Sequence, residues 1–204
     1  MSDTQMTING LFIAVCMFLV SNSKAAKALS DARPRSGAIN PYLFCSVLAQ
    51  FALHVYCLAR VVAIARRLEP ATPFDPDAEV PEDAVYSPTL VNTLVFLLLL
   101  PMQVSTFATT LRGAPFLQSL ADGGRSLLYG LGAMALLPIA IAAGLAPEGL
   151  ADAMELVAVP AALRMEVLGV ILADLTLAWA ADRAAWLLFP LARGSRVYSL
   201  RSKL

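Results

Sequence analysis

Eight polar side chains stand inside, or at the edge of, long apolar runs: Asp3, Gln5, Asn9, Gln50, His54, Asn92, Gln103 and Asp174. An acid at bilayer depth costs about 2.5–3.5 kcal/mol on insertion scales, so each such group needs a partner or a water-filled path. Two chemistries follow from that need. One is a path for a substrate or ion. The other is hydrogen bonding between helices that fixes their packing, and it is the favoured reading for this set. Asp174, Ala178 and Asp182 stand at i, i+4 and i+8 and share a helix face, with Arg183 offset from it. Gln50 and His54 share a face in the same way. His54 is the chain's single histidine, so a metal site there would need ligands from other segments. Asn92, Gln103 and Thr106 fall at helical spacing and tint one stripe of an otherwise apolar stretch. Such a stripe belongs against other helices rather than lipid.

No catalytic, cofactor-binding or metal-ligating set is legible. There is no GxxxxGK[ST] phosphate loop, no GxSxG and no HExxH. Gly123 and Gly124 lack a phosphate-binding context. Cys16, Cys45 and Cys57 all lie in apolar runs and read as small buried hydrophobes. Cys45 and Cys57 would be about 18 Å apart on one helix, too far for a disulfide.

The elements that must position these groups are membrane spans. The chain is 58% hydrophobic, 15% charged and has a mean hydropathy of +0.69. Ordinary soluble domains hold about 45–50% apolar and about 25% charged residues. The net charge is zero, so no basic balance argues for nucleic acid. The fold class expected is all-α, a polytopic helical membrane bundle forming a single domain. Five spans are expected at about 4–23, 41–65, 88–109, 126–145 and 164–189, from the length of bilayer a helix must cross. The first is read as a span rather than a cleaved signal, because Asp3 precedes it and no Lys or Arg does. Pro101 should bend the third span, and Pro138 should kink or break the fourth. Gly130 and Gly132 should let neighbouring helices approach.

Charge divides the connections. The segment from Lys24 to Asn40 is basic, with a short interfacial helix expected before Pro34, whereas Leu68 to Ser87 is acidic and proline-rich. A further connection from Ala146 to Leu163 carries Glu148, Asp152 and Glu155 and room for a short amphipathic turn. Eleven of the fifteen Lys and Arg residues fall after the first and third spans or at the C-terminal end. The positive-inside rule makes those connections cytosolic and the acidic one lumenal or exterior. Internal repeats and strand-period segments are absent from the sequence. A solute carrier built on repeats is thereby disfavoured.

Several separated strings resemble one family. Ser87 to Thr93, Met102 to Ala108, Gly113 to Phe116 and Ser119-Leu120 resemble the third-from-last span, and the loop after it, of fifth-class, subgroup A P-type ATPases. These are the endoplasmic-reticulum helix dislocases. Gly10 to Lys24 and Ser30 to Pro34 resemble that family's sixth core span and its cytosolic exit. Gln50-Phe51 with His54 resembles the seventh. Leu156 to Pro160, then Asp174, then Ala181-Asp182-Arg183 resemble the run into and through the last. Thr110 and Leu111 stand where the family has Asn followed by an aromatic, and Pro101 is a further departure.

The resemblance implies the membrane portion of an ATP-driven translocase that extracts misinserted transmembrane helices from the endoplasmic-reticulum membrane. The family's DKTGT, TGE and GDG motifs do not occur here. ATP and Mg would be bound by cytosolic domains elsewhere in the parent protein. The chain is therefore expected to be a fragment, a partial gene model or a split product. The implied partners are the lipid bilayer, the N-terminal part of the same ATPase and the transmembrane helices of client proteins. The implied client cleft would use the first span and part of the fourth, with Asp3, Gln5 and Asn9 as its candidate lining. A cation-transporting ATPase fragment and a stand-alone, non-enzymatic five-helix membrane protein are the alternatives.

Overall fold

The computed structural model describes residues 1–26, 37, 40–70, 87–111, 116–118, 125–147 and 149–190. Six helices follow in order: α1 Asp3–Ser21, α2 Pro41–Ala65, α3 Leu90–Thr110, α4 Arg125–Ala143, α5 Leu150–Ala153 and α6 Ala161–Leu188. Among the described residues the one extended pairing is an isolated antiparallel bridge. The protein is an all-helical membrane bundle. The helices α1, α2 and α3 are each long and apolar enough to cross a bilayer, and Leu127–Ala143 is a shorter apolar helix. With its 28 residues α6 has the length to span, but it carries Arg164, Glu166, Asp174, Asp182 and Arg183 along the way.

Local chemistry starts these helices where the sequence permits. The side chains of Ser2, Asn40 and Thr89 accept hydrogen bonds from the amides of Gln5, Leu43 and Asn92. Each cap satisfies one of the amide donors left open at a helix start. Pro41 occupies the first turn of α2, where a missing N–H costs nothing. Pro138 lies inside one continuous helix, so the expected break does not occur. One lost backbone bond does not end a helix whose other polar groups have no alternative partner in an apolar setting.

The central helix is α3, which touches α1, α2, α4 and α6. Over half of its apolar window is buried (56%), against 17% for α1 and for α2. Phe96, Leu97, Leu98 and Leu100 have no exposed surface, so α3 is apolar all round because it is surrounded. The most extensive contact is that of α2 with α6. They run antiparallel: Tyr42 meets Asp182 near one end, His54 meets Asp174 midway, and Arg67 meets Glu166 near the other. The fit of α1 to α4 depends on Gly130. A Cβ built there would stand 2.8 Å from a terminal carbon of Leu19. Gly132 has open space around it and takes no part in helix approach, contrary to expectation.

The connections share ends as alternation requires. The amide of Ala26 donates to Phe116 O at 2.9 Å, and the amide of Gln118 donates to Lys24 O at 2.9 Å. The exit of α1 and the approach to α4 therefore lie together. At the other end Glu69 accepts from the amide of Val91 at 3.2 Å. The expected interfacial helix before Pro34 and the exit at Gly113 to Pro115 lie outside the described residues. The connection from Ala146 to Leu163 holds the single turn α5, and α6 begins at Ala161, three residues before the expected start. Cys16 and Cys57 are buried, but Cys45 is exposed on the outer face of α2. An apolar environment outside the bundle serves such a residue as well as the core does.

Candidate functional site

The polar side chains gather along two seams. The first joins α2 and α6. The buried face of α6 reads Leu163, Val167, Ile171, Asp174, Ala178, Asp182 and Ala185. Its spacing of three and four is that of one helix stripe. Asp182 accepts hydrogen bonds from the Tyr42 hydroxyl and the Ser46 hydroxyl, both at 2.7 Å. Ser46 also accepts from the Gln50 amide at 2.9 Å, and Gln50 Oε1 accepts from Thr109 of α3 at 2.9 Å. Tyr42 packs edge-on to Trp186 with ring centres 5.8 Å apart. Two turns along α6, Asp174 Oδ1 lies 2.7 Å from His54 Nδ1. Where the seam ends, Glu166 meets Arg67 at 2.7 Å and Arg60 at 3.5 Å.

The second seam joins α1 to α3 and to the segment before α6. Gln5 is fully buried. Its amide nitrogen donates to Glu155 O at 3.0 Å and Met154 O at 3.4 Å, and its Oε1 accepts from Asn92 at 3.1 Å. Asn9 accepts from the side chain of Gln103. The Thr4 hydroxyl donates to the Glu155 carboxylate at 2.8 Å, and Thr93 accepts from the amide of Val157 at 2.9 Å. Glu155 has a left-handed backbone with φ 53°. A non-glycine residue holds that conformation only where its surroundings fix it. The Ser2 and Thr4 hydrogen bonds also hold the Glu155 carboxyl below the ordinary carboxylate range.

Seven of the eight candidates thus enter side-chain contacts across helices or within these seams. The eighth, Asp3, is exposed on the first turn of α1. Thr106 is also exposed, and its hydroxyl returns to Met102 O of its own helix, so it ties no neighbour. The sequence reading found no partner for His54; the fold supplies Asp174. It also gave no hydrogen-bonding role to Tyr42, Ser46, Thr109, Thr93 or Glu155. A signal for the first two was present, because Tyr42, Ser46, Gln50 and His54 repeat every fourth residue.

Chemically, these arrangements join helices. Among the described residues no group of three His, Cys, Asp or Glu side chains is placed to hold a metal ion. A cavity of about 520 Å³ opens beside the start of α3, lined in part by Arg66, Glu69, Thr89 and Asn92. A smaller one of about 220 Å³ lies beside Gly144 and Arg164.

Comparison with known proteins gives a consistent result. No family model matches the chain. It is 34% identical over 87% of its length to the endoplasmic reticulum transmembrane helix translocase of Schizosaccharomyces pombe. It is 33% identical over 88% of its length to the protein of the same name in Saccharomyces cerevisiae. A third relative, the probable manganese-transporting ATPase PDR2 of Arabidopsis thaliana, is 33% identical over 82% of the chain. The chain spans about 14% of the length of each of these three relatives. Similarity of this extent, over most of the chain, makes it a member of the fifth-class, subgroup A P-type ATPase family.

Proposed function

We propose that this bundle is the supporting membrane portion of an ATP-driven translocase that removes misinserted transmembrane helices from the endoplasmic-reticulum membrane. The observation that carries the reading is the 33–34% identity to two helix translocases over 87–88% of the chain. In this reading the chain works within a longer polypeptide, corresponds to its last spans, and contributes no catalytic group. ATP and Mg are bound by cytosolic domains of that longer protein. The clients are transmembrane helices, reached from the bilayer. The connection around Lys24 to Asn40 and the C-terminal end face the cytosol, and the acidic connection from Leu68 to Ser87 faces the lumen.

The geometry refines which residues would meet a client. Gln5 is spent on Met154, Glu155 and Asn92, and Asn9 on Gln103. Asp3 and the outer face of α1, including Thr7 and Gly10, remain exposed. Client contact therefore falls to that outer face, with Asp3 at its polar end. The test uses the full-length protein in reconstituted vesicles with a mistargeted single-span client. Asp3→Ala should reduce ATP-dependent extraction while the protein stays folded. Normal extraction together with normal client-stimulated ATP hydrolysis would sink the assignment.

A second reading is cation transport, favoured by the similarity to a probable manganese-transporting ATPase. Manganese uptake into the same vesicles, dependent on ATP and independent of client, would establish it instead.

A further inference from the structure

Asp174 differs from every other polar group in the bundle. It is fully buried midway along α6, about 20 Å from either helix end at 1.5 Å per residue. Among the described residues its carboxylate meets the ring of His54, itself midway along α2, and the Cys57 thiol lies against it as well. Nε2 of His54 and Oδ2 of Asp174 are both buried, and among the described residues neither has a nitrogen or oxygen partner.

The charged surroundings are sparse. The central helix α3 has no Asp, Glu, Lys, Arg or His. The one charged residue of α4 is Arg125 at its first position, and that of α1 is Asp3 in its first turn. On α2 the Cys57 thiol lies beside Asp174, while Arg60 is directed to Glu166. On α6, Asp182 is engaged by Tyr42 and Ser46, Arg164 donates to Val159 O, and Arg183 is exposed. Among the described residues, only His54 is placed to balance Asp174.

Charge arithmetic then restricts the pair. A carboxylate beside a neutral imidazole leaves a net charge in an apolar interior, which is the costly arrangement. A carboxylate beside an imidazolium leaves none, and neither does a carboxylic acid beside an imidazole. Both of these forms hold one proton beyond the imidazole's own, lying between Nδ1 and Oδ1.

We propose that His54 and Asp174 form one intramembrane proton-binding site that holds a single proton between them, and that loss of this proton to solvent loosens α2 from α6. The inference rests on the geometry of these two helices and stands whether or not the translocase reading does.

The test is a pH titration of the full-length protein in detergent, followed by difference infrared spectroscopy. The His54 and Asp174 bands are assigned by their loss in His54→Gln and Asp174→Asn. In the unsubstituted protein both bands should change at one midpoint. Each substitution should remove its own band and move the midpoint of the other. Separate midpoints in the unsubstituted protein, or an unmoved midpoint in either variant, overturns the proposal. A double variant, His54→Asn with Asp174→Asn, replaces the pair by two amides able to bond each other. The melting temperature of the unsubstituted protein should fall across the infrared transition, and that of the double variant should stay level. An equal fall in both overturns the loosening.

Discussion

The α2–α6 seam and the α1–α3 seam solve the same problem with different groups. Both place polar atoms inside an apolar bundle. Along α1–α3 the work is done by neutral amides: Gln5 with Asn92, and Asn9 with Gln103. Along α2–α6 it is done by two acids, each buried and each assigned different partners. Asp182 is met by two hydroxyls, Asp174 by an imidazole. An amide pair is neutral whatever the pH, and losing one member leaves a dipole. An acid–imidazole pair must keep its charges balanced, and losing Asp174's partner leaves a buried carboxyl that is either a bare charge or must take up a proton. The two seams should therefore respond unequally to the same kind of substitution.

The largest effect is expected from His54→Ala. It leaves the Asp174 carboxyl, at 0% exposure, without the ring that balances it. Breaking one side of a buried pair typically costs about 3–5 kcal/mol. Denaturation of the full-length protein in mixed micelles measures it. Asp174→Asn should cost far less, because it removes the charge along with its need for a partner. Equal losses from the two substitutions would mean that packing, not charge, governs this contact.

Asp182→Ala comes next. It removes the acceptor that the hydroxyls of Tyr42 and Ser46 share, and bonds of this sort in membranes are worth about 1–2 kcal/mol in model helices. Asp182→Asn keeps an acceptor oxygen and should restore most of the loss in the same unfolding measurement. The amide seam should yield less. A double-mutant cycle with Asn9→Leu and Gln103→Leu should report a coupling of about 0.6 kcal/mol, the average for interhelical hydrogen bonds in a membrane protein. A coupling as large as that of the His54 pair would erase the distinction between the seams.

The sequence revealed the helices better than the partnerships between them. A run such as Leu94 to Pro101 is apolar on every side, which marks a membrane helix, but its place inside the bundle does not follow from composition, since the equally apolar α2 is largely exposed. The start of α2 at Pro41 was legible because Asn40 caps and Pro41 tolerates a missing donor. The faces of Gln50, His54, Asp174 and Asp182 were likewise legible from spacing. What spacing along one helix cannot supply is the register against another. His54 and Asp174 are separated by 120 residues, and only the antiparallel packing of α2 on α6 joins them. Glu155 was hidden for a different reason. Its role depends on a left-handed backbone at a non-glycine residue, and no local sequence signal marks that conformation.

Glu155 offers the smallest effect and a contrast in kind, since it lies outside the long helices where water can reach it. Ser2 and Thr4 hold its carboxyl below the ordinary carboxylate range. The folded value is therefore lower than the unfolded one. The ionised carboxylate adds stability to this clasp above the unfolded value, and the contribution is lost as pH falls through the depressed folded value. Acidification through that window should release the segment around Met154 to Val157 from α1, seen as faster amide hydrogen exchange there. Thr4→Ala removes one of the two donors, so the release should begin at higher pH. Gln5 still grips the carbonyls of Met154 and Glu155 in that variant, so exchange should rise without the segment detaching. Complete loss of protection in Thr4→Ala at neutral pH would show that the carboxylate, and not the buried amide, is the principal tie between α1 and the segment before α6.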